Sequence, residues 1–319
     1  MIKFFKLLLI TLLVTLPSFA EDVQAPINPN IRHVIQIPKG GLSDFLAWRH
    51  GRVALISHHR GGPMLGYPEN AIETMDNALK YGPGLMEVDV AQLADGTLIL
   101  MHDKTTNRTT TGEGIVGNLG WNDVKDLYLK DENGTVTTFK IPRLEDVLLW
   151  AKGRTLLTLD IKSGTDFRAV SRLVKSAEAE DYTIAIAYTV AQAQKIHSMA
   201  PYMPITVTMR NDEEIQAVEA SGIPKHLIVA WTGTRVLPTA HYDVLHGKGW
   251  RVIMGTLGRG RQAIDKQIAA NDNDARYLDI YRRGVDIIAT DRFWAVQKQI
   301  VNPNMYFFIQ KSIVVGGAH

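Results

Sequence analysis

Two carboxylates stand two residues apart in an otherwise apolar run, Leu85-Met86-Glu87-Val88-Asp89-Val90. In extended backbone alternate side chains share a face, so Glu87 and Asp89 point the same way. Two acids side by side on a buried strand repel each other and lose hydration, and a divalent cation relieves both costs. All-oxygen ligation favours one hard divalent ion, Mg²⁺ or Ca²⁺. An ion network with Arg60 or Lys162 relieves them as well, and the pair alone does not choose. His59 and His102 follow two other apolar runs. Imidazoles titrate near neutral pH, so one can take a proton from a nucleophile while the other protonates a departing alkoxide. Such a pair suits cleavage of a phosphodiester. His58 and His59 alternate across the chain, so only one of them faces inward. Arg60 offers a planar fork for phosphate oxygens and Lys162 a point charge; both also balance nearby acids. Gly61 and Gly62 suit a tight turn or a close backbone approach to a ligand.

These groups need elements that bring them together. Short Val/Ile/Leu-rich runs occur at Val53–Ser57, Leu85–Val90, Leu98–His102, Leu156–Ile161, Thr183–Tyr188, Ile205–Met209, Leu227–Trp231, Val252–Thr256 and Val285–Thr290. They read as parallel strands buried on both faces. Helical patterns lie between most of them: Ala71–Tyr81, Leu144–Ala151, Phe167–Glu180, Ala191–Met199, Asp212–Ala220 and Ala263–Arg283. The alternation suggests an α/β protein, either a (β/α)8 TIM barrel or a doubly wound sheet. Polar residues recur at strand ends (His59, Asp89, His102, Asp160, Tyr188, Arg210, Trp231, Thr290), as they do at the active face of a barrel. The turn after the first strand, His59-Arg60-Gly61-Gly62-Pro63, lacks dinucleotide-binding spacing, which also favours the barrel. Nine candidates for eight staves leave one outside, and Leu227–Trp231 is the expected outsider. The Gly/Thr-rich segment Asp103–Pro142 reads as a functional loop or small insertion between the third and fourth strands.

The chain has 319 residues, 45% hydrophobic and 21% charged, an ordinary globular composition. No repeat or linker divides it, so one domain is expected over 21–319, with its core at about 53–293. A formal net charge of +2 gives no reason to expect nucleic acid as a partner. Lys3 and Lys6 precede the apolar run Leu7–Leu16, and Pro17-Ser18-Phe19-Ala20 follows it. That order is a secretory signal peptide over 1–20, cut before Glu21. The run falls short of the ~20 residues that span a bilayer, so no stable membrane anchor is expected after its removal. The expected location is secreted or periplasmic. With no cysteine, thiol catalysis, thiolate metal sites and lipidation at the cut are excluded.

Together these stretches resemble the glycerophosphodiester phosphodiesterase family. Its successive motifs have counterparts in His59-Arg60-Gly61, Pro68-Glu69-Asn70-Ala71, Glu87-Val88-Asp89, His102-Asp103 and Arg108-Thr109-Thr110. Ile141-Pro142-Arg143-Leu144-Glu145 and Gly284–Asp291 resemble a helix start and the last barrel strand of the family, so the resemblance runs from Val53 to Asp291. It implies a TIM barrel with His59 and His102 as acid and base, Glu87 and Asp89 as metal ligands, and Arg60 on phosphate. A third ligand, glutamate in the family's Glu-Ile-Lys, falls on Asp160 in Asp160-Ile161-Lys162, one methylene shorter. Ala71 replaces a threonine. The family's Trp-Thr-x-Asn near the seventh strand is absent from Val252–Gly258, so the alcohol side of the pocket is open, with Tyr188, Met209 and Trp231 as candidate walls or core residues. The implied substrate is a small phosphodiester. Related readings are a lysophospholipase D or sphingomyelinase D acting on larger lipids, and an exported phosphate-ligand binding protein without catalysis. A sugar-cleaving barrel would want a carboxylic acid in place of two histidines. Oligomeric state is left open.

Overall fold

The computed structural model describes residues 30–51 and 53–300, and the backbone of 315–317. The expected signal peptide, 1–20, lies outside the described residues. Eight parallel strands form a closed ring: β1 (Leu55–His58), β2 (Leu85–Gln92), β3 (Leu157–Ile161), β4 (Thr183–Ala187), β5 (Ile205–Thr208), β6 (Ile228–Trp231), β7 (Val252–Gly255) and β8 (Ile287–Thr290). Neighbours in sequence are neighbours in space. Closure comes from β1, which pairs with β8 from Leu55↔Ile287 to His58↔Thr290 and with β2 at Ser57↔Leu85. Helices connect the staves and cover the ring, so this is a (β/α)8 TIM barrel. Burial on both faces explains the continuous apolar runs: every residue of β1, β5, β7 and β8 is buried.

Side-chain caps start several helices where the chain offers an acid, threonine or asparagine. Asp166 accepts from Arg168 N before Phe167–Ser176, Thr189 from Gln192 N before Val190–Met199, and Asn211 from Glu214 N before Asp212–Glu219. The helix expected over Ala263–Arg283 is two, Ile264–Ala270 and Arg276–Arg282. The break falls in Asn271-Asp272-Asn273-Asp274, where Asp272 takes a left-handed φ of 48° that short polar side chains tolerate.

Two strand assignments change places. Leu227–Trp231, expected outside the barrel, supplies β6, held between β5 and β7. The outsider is Leu98–Leu100, which runs antiparallel to the extended end of β2, pairing Val90↔Leu100 and Gln92↔Leu98. Geometry requires this. A parallel return needs a crossover of about a dozen residues, whereas only Leu93–Thr97 intervene, turning at Asp95-Gly96 with Gly96 at φ 89°. The insertion does lie between the third and fourth predicted strands, but it therefore sits between staves β2 and β3. It has its own small core, with Leu93, Ile99, Met101, Val116, Val124, Leu129 and Ile141 among its buried members. A hairpin of Tyr128–Lys130 and Val136–Lys140 completes it. Among the described residues, no helix is long and apolar enough to cross a membrane.

Candidate active site

The functional side chains gather where β1, β2 and β3 end. Past His58 the chain turns sharply: Arg60 (φ 52°), Gly61 (φ 80°) and Gly62 (φ 82°) are all left-handed. Such a φ strains an arginine by roughly 1–2 kcal/mol, so other contacts must hold it. They do. Arg60 N donates to Glu87 Oε2 at 2.7 Å, and Asn70 N, itself at φ 61°, donates to Arg60 O at 2.9 Å. A Cβ on Gly61 would lie 2.7 Å from the Met75 side chain, so the turn also needs glycine for space. His58 points outward, buried against Phe293, with Nδ1 3.0 Å from Leu85 O. His59 faces the cavity, and its Nδ1 lies 2.6 Å from Asp291 Oδ1. Gly258 N donates to the other oxygen of Asp291 at 3.0 Å.

His102 reaches the same mouth from the insertion, two residues beyond the added strand. Its Nδ1 lies 2.8 Å from Asp103 Oδ1. Arg108 grips Asp103 through Nε (2.6 Å) and Nη2 (3.0 Å), and Glu69 through Nη1 (2.9 Å) and Nη2 (2.8 Å). Glu69 also accepts from Arg60 Nη1 at 2.9 Å. The two histidine turns are thus joined by a chain of charged hydrogen bonds.

Below them Glu87, Asp89 and Asp160 each offer an oxygen, all within 4.8 Å of one another. Asp89 and Asp160 are direct partners on adjacent staves, so strand register alone sets them side by side. Asn70 clamps Asp89, donating Nδ2 to Oδ2 at 2.7 Å and accepting the Asp89 N–H at 2.9 Å. Lys162 Nζ bridges Asp89 (2.5 Å) and Asp160 (2.6 Å), and Tyr188 OH donates to Asp160 at 2.8 Å. Burial pushes the Asp89 carboxyl up, but Lys162 and Asn70 outweigh it and hold it below its ordinary value. Glu87 has no such cation: burial and the neighbouring Asp89 charge push it up to about 8. A hard divalent ion fits this set. The donors are all oxygen, and one of the three acids lacks a balancing charge.

For His59, burial disfavours the charged ring, but the Asp291 hydrogen bond and the Glu87 charge more than offset this, raising its pKa. Asp291 is held low, since the bond and charge of His59 overcome its burial.

Of the residues singled out from sequence, His59, His102, Glu87, Asp89, Asp160, Lys162, Tyr188 and Trp231 line one cavity of about 250 Å³. Arg60 is not among the lining residues; its Nε is buried without a hydrogen-bond partner, 3.7 Å from Asp89. Met209 is absent from the lining: it is fully buried, part of the main core. Arg60 and Lys162 both balance carboxylates, so the ion network expected as an alternative to the cation is present in part. Sequence reasoning gave no role to Asp291, Asp103, Glu69 or Arg108. The first of these closes the stretch that resembles the family's last barrel strand, an acid directly after a strand-end threonine, but nothing there gives it a role.

The fold and this mouth define a barrel enzyme with imidazole and carboxylate groups on one side of a cleft whose other walls are apolar. Residues 59–178 match the model of the glycerophosphoryl diester phosphodiesterase family. A solved glycerophosphoryl diester phosphodiesterase from Parabacteroides distasonis is 31% identical, covering 89% of this chain and 100% of that one, with a TM-score of 0.81. A glycerophosphodiester phosphodiesterase from Bacillus altitudinis is 25% identical over 59% of this chain and 82% of its own. One from Caldanaerobacter subterraneus is 29% identical over 47% of this chain and 65% of its own. The chain belongs to the glycerophosphodiester phosphodiesterase family, and it is an enzyme of that kind.

Proposed function

We propose that the chain hydrolyses a small glycerophosphodiester to an alcohol and glycerol phosphate, with one divalent cation, Mg²⁺ or Ca²⁺, held by Glu87, Asp89 and Asp160. One observation carries the reading: two histidines, each braced by a carboxylate, face a shared cleft above three clustered acids. When bound, the cation would neutralise charge on the phosphoryl oxygens. The chain's own residues supply the rest. Arg60, with Nε unpartnered, donates to a phosphoryl oxygen, and Lys162 adds positive charge beside it. One imidazole removes a proton as water attacks phosphorus; where a neighbouring substrate hydroxyl attacks instead, a cyclic phosphate forms and water opens it to glycerol phosphate in a second step. The other gives a proton to the alcohol oxygen as its P–O bond breaks. The Nδ1 contacts to Asp291 and Asp103 leave each Nε2 for these transfers. A cavity of about 250 Å³ suits a head-group-sized diester better than an intact lipid.

The test is a turnover screen on glycerophosphocholine, glycerophosphoethanolamine and lysolipids, with EDTA, Mg²⁺ and Ca²⁺ as variables. Hydrolysis of the water-soluble diesters, lost with EDTA and restored by one ion, is the expected result. Full activity in EDTA removes the cation from the reading. A preference for lysolipids moves it to the larger-lipid class, and tight ion binding without any turnover to a binding protein. We also propose export, on the pattern of residues 1–20; recovery from a secreted or periplasmic fraction of protein starting at Glu21 checks it.

A further inference from the structure

The loops that follow β6 and β7, residues 232–238 and 256–263, hold Arg235, Arg259 and Arg261 and no acidic residue. All three arginines are exposed, and none has an ion pair among the described residues. Arg49, Arg210 and Arg282, also exposed, are answered locally by Asp44, Glu214 and Asp279, whereas Arg154, Arg168 and Arg283 have no ion pair among the described residues but lie away from these two loops in sequence.

The two loops are pressed together at the cavity. Gly255 N donates to Gly233 O at 2.9 Å, and a Cβ on Gly255 would lie 2.7 Å from the Trp231 ring and 3.0 Å from Thr234. Trp231, Ile253 and Leu257, which lead into these loops, line the cavity. In a ring of eight staves this wall lies across from β1–β3, where the histidines and the acids sit. A phosphodiester held on the β1–β3 side therefore sends one substituent toward β6 and β7. That substituent meets the apolar walls first, and beyond them the two loops that carry the three arginines.

We propose that Arg235, Arg259 and Arg261 form an anion subsite that reads a second negative charge on the substrate. That charge would be a phosphate or second phosphodiester joined to the scissile phosphate by a short carbon linker. Diesters ending in choline, ethanolamine or plain glycerol lack it. The proposal rests on the glycerophosphodiester reading of the same cleft, and it names the substrate class within it.

The test compares bis(glycerophospho)glycerol, which carries two phosphodiesters, with glycerophosphocholine, using the wild type and an Arg259→Gln/Arg261→Gln variant. The wild type should show a KM about tenfold lower for the doubly charged diester, and the variant should lose that advantage. Values for glycerophosphocholine should stay within about twofold. The preference should also shrink between 50 and 300 mM salt, as exposed charge requires. Equal KM values in the wild type, or equal losses on both substrates, overturn the proposal. Calorimetric binding of the two diesters to His102→Ala protein separates this from failure of the hydrolase reading. A binding preference without turnover in wild type keeps the subsite and removes the reaction, whereas turnover without a preference does the reverse. Sedimentation with phosphatidylglycerol and phosphatidylcholine vesicles supplies the last arm. Arginine-dependent capture by the anionic vesicles, with no discrimination between soluble diesters, would assign the charge to a lipid surface and overturn the substrate subsite.

Discussion

His59 takes its carboxylate from Asp291, 232 positions along the chain, whereas His102 takes its own from the next residue. The contacts are similar in length, 2.6 and 2.8 Å, but their supports differ. Asp291 is fixed by Gly258 N beyond β7, so the His59 pair depends on the ends of β1, β7 and β8 meeting. Asp103 is fixed by Arg108, five residues on, inside the insertion. The charges differ too. Asp291 has His59 as its chief counterion, which favours the imidazolium, while Arg108 already holds the Asp103 carboxyl well below the usual range. Equivalent-looking pairs thus lend unequal help to their rings: one carboxylate is free to support a proton, the other is largely committed elsewhere.

The largest expected effects remove the rings. His59→Ala or His102→Ala should each lower kcat/KM by about 10³-fold or more, with melting temperatures almost unchanged. Near-full activity in both variants would sink the two-histidine mechanism. The next step tests the inequality. Asp291→Asn should cost about 10²-fold in kcat and move the His59 limb of the pH–rate profile to lower pH, because burial of the ring is then opposed by the Glu87 charge without the Asp291 carboxylate. Asp103→Asn should cost only about tenfold, since Arg108 keeps its bonds to Glu69. Equal losses, with no shift of the limb in Asp291→Asn, would erase the distinction.

A further effect, read on stability and not on rate, uses the neighbouring His58 as a reference without any carboxylate. Burial lowers it from 6.5 to about 4, only partly opposed by the Leu85 carbonyl. Between those values the unfolded chain binds the extra proton, so stability is full above about pH 6.5 and falls as pH drops toward 4. The loss reaches about 3 kcal/mol. Denaturant melts at pH 4.5 and 7 should show this slope in the wild type and a shallower one in His58→Asn. An unchanged slope would detach it from His58.

Much of this architecture was legible because its causes are local. Buried parallel strands must be apolar throughout, and alternation within β2 puts Glu87 and Asp89 on one side. The inward turn of His59 rather than His58 is set by the left-handed Arg60-Gly61-Gly62 run, for which the sequence offered only the glycines. The Leu98–Leu100 misassignment was avoidable, since five residues cannot carry a parallel crossover. Asp291 was not legible. Its role exists only once the last stave returns to the first, and no spacing within either segment encodes that meeting. Met209 stayed open between wall and core for the opposite reason: a strand-end apolar residue looks the same whether it turns to the cavity or, as here, to the core.

The seam between β1 and β8 also sets an order of assembly. The insertion and its histidine rest on short-range contacts that form early, whereas pairing Leu55 with Ile287 closes a loop of most of the chain and comes late. His59 meets Asp291 only at that last step. The acid–base pair is therefore complete only in the closed barrel, and activity requires that closure.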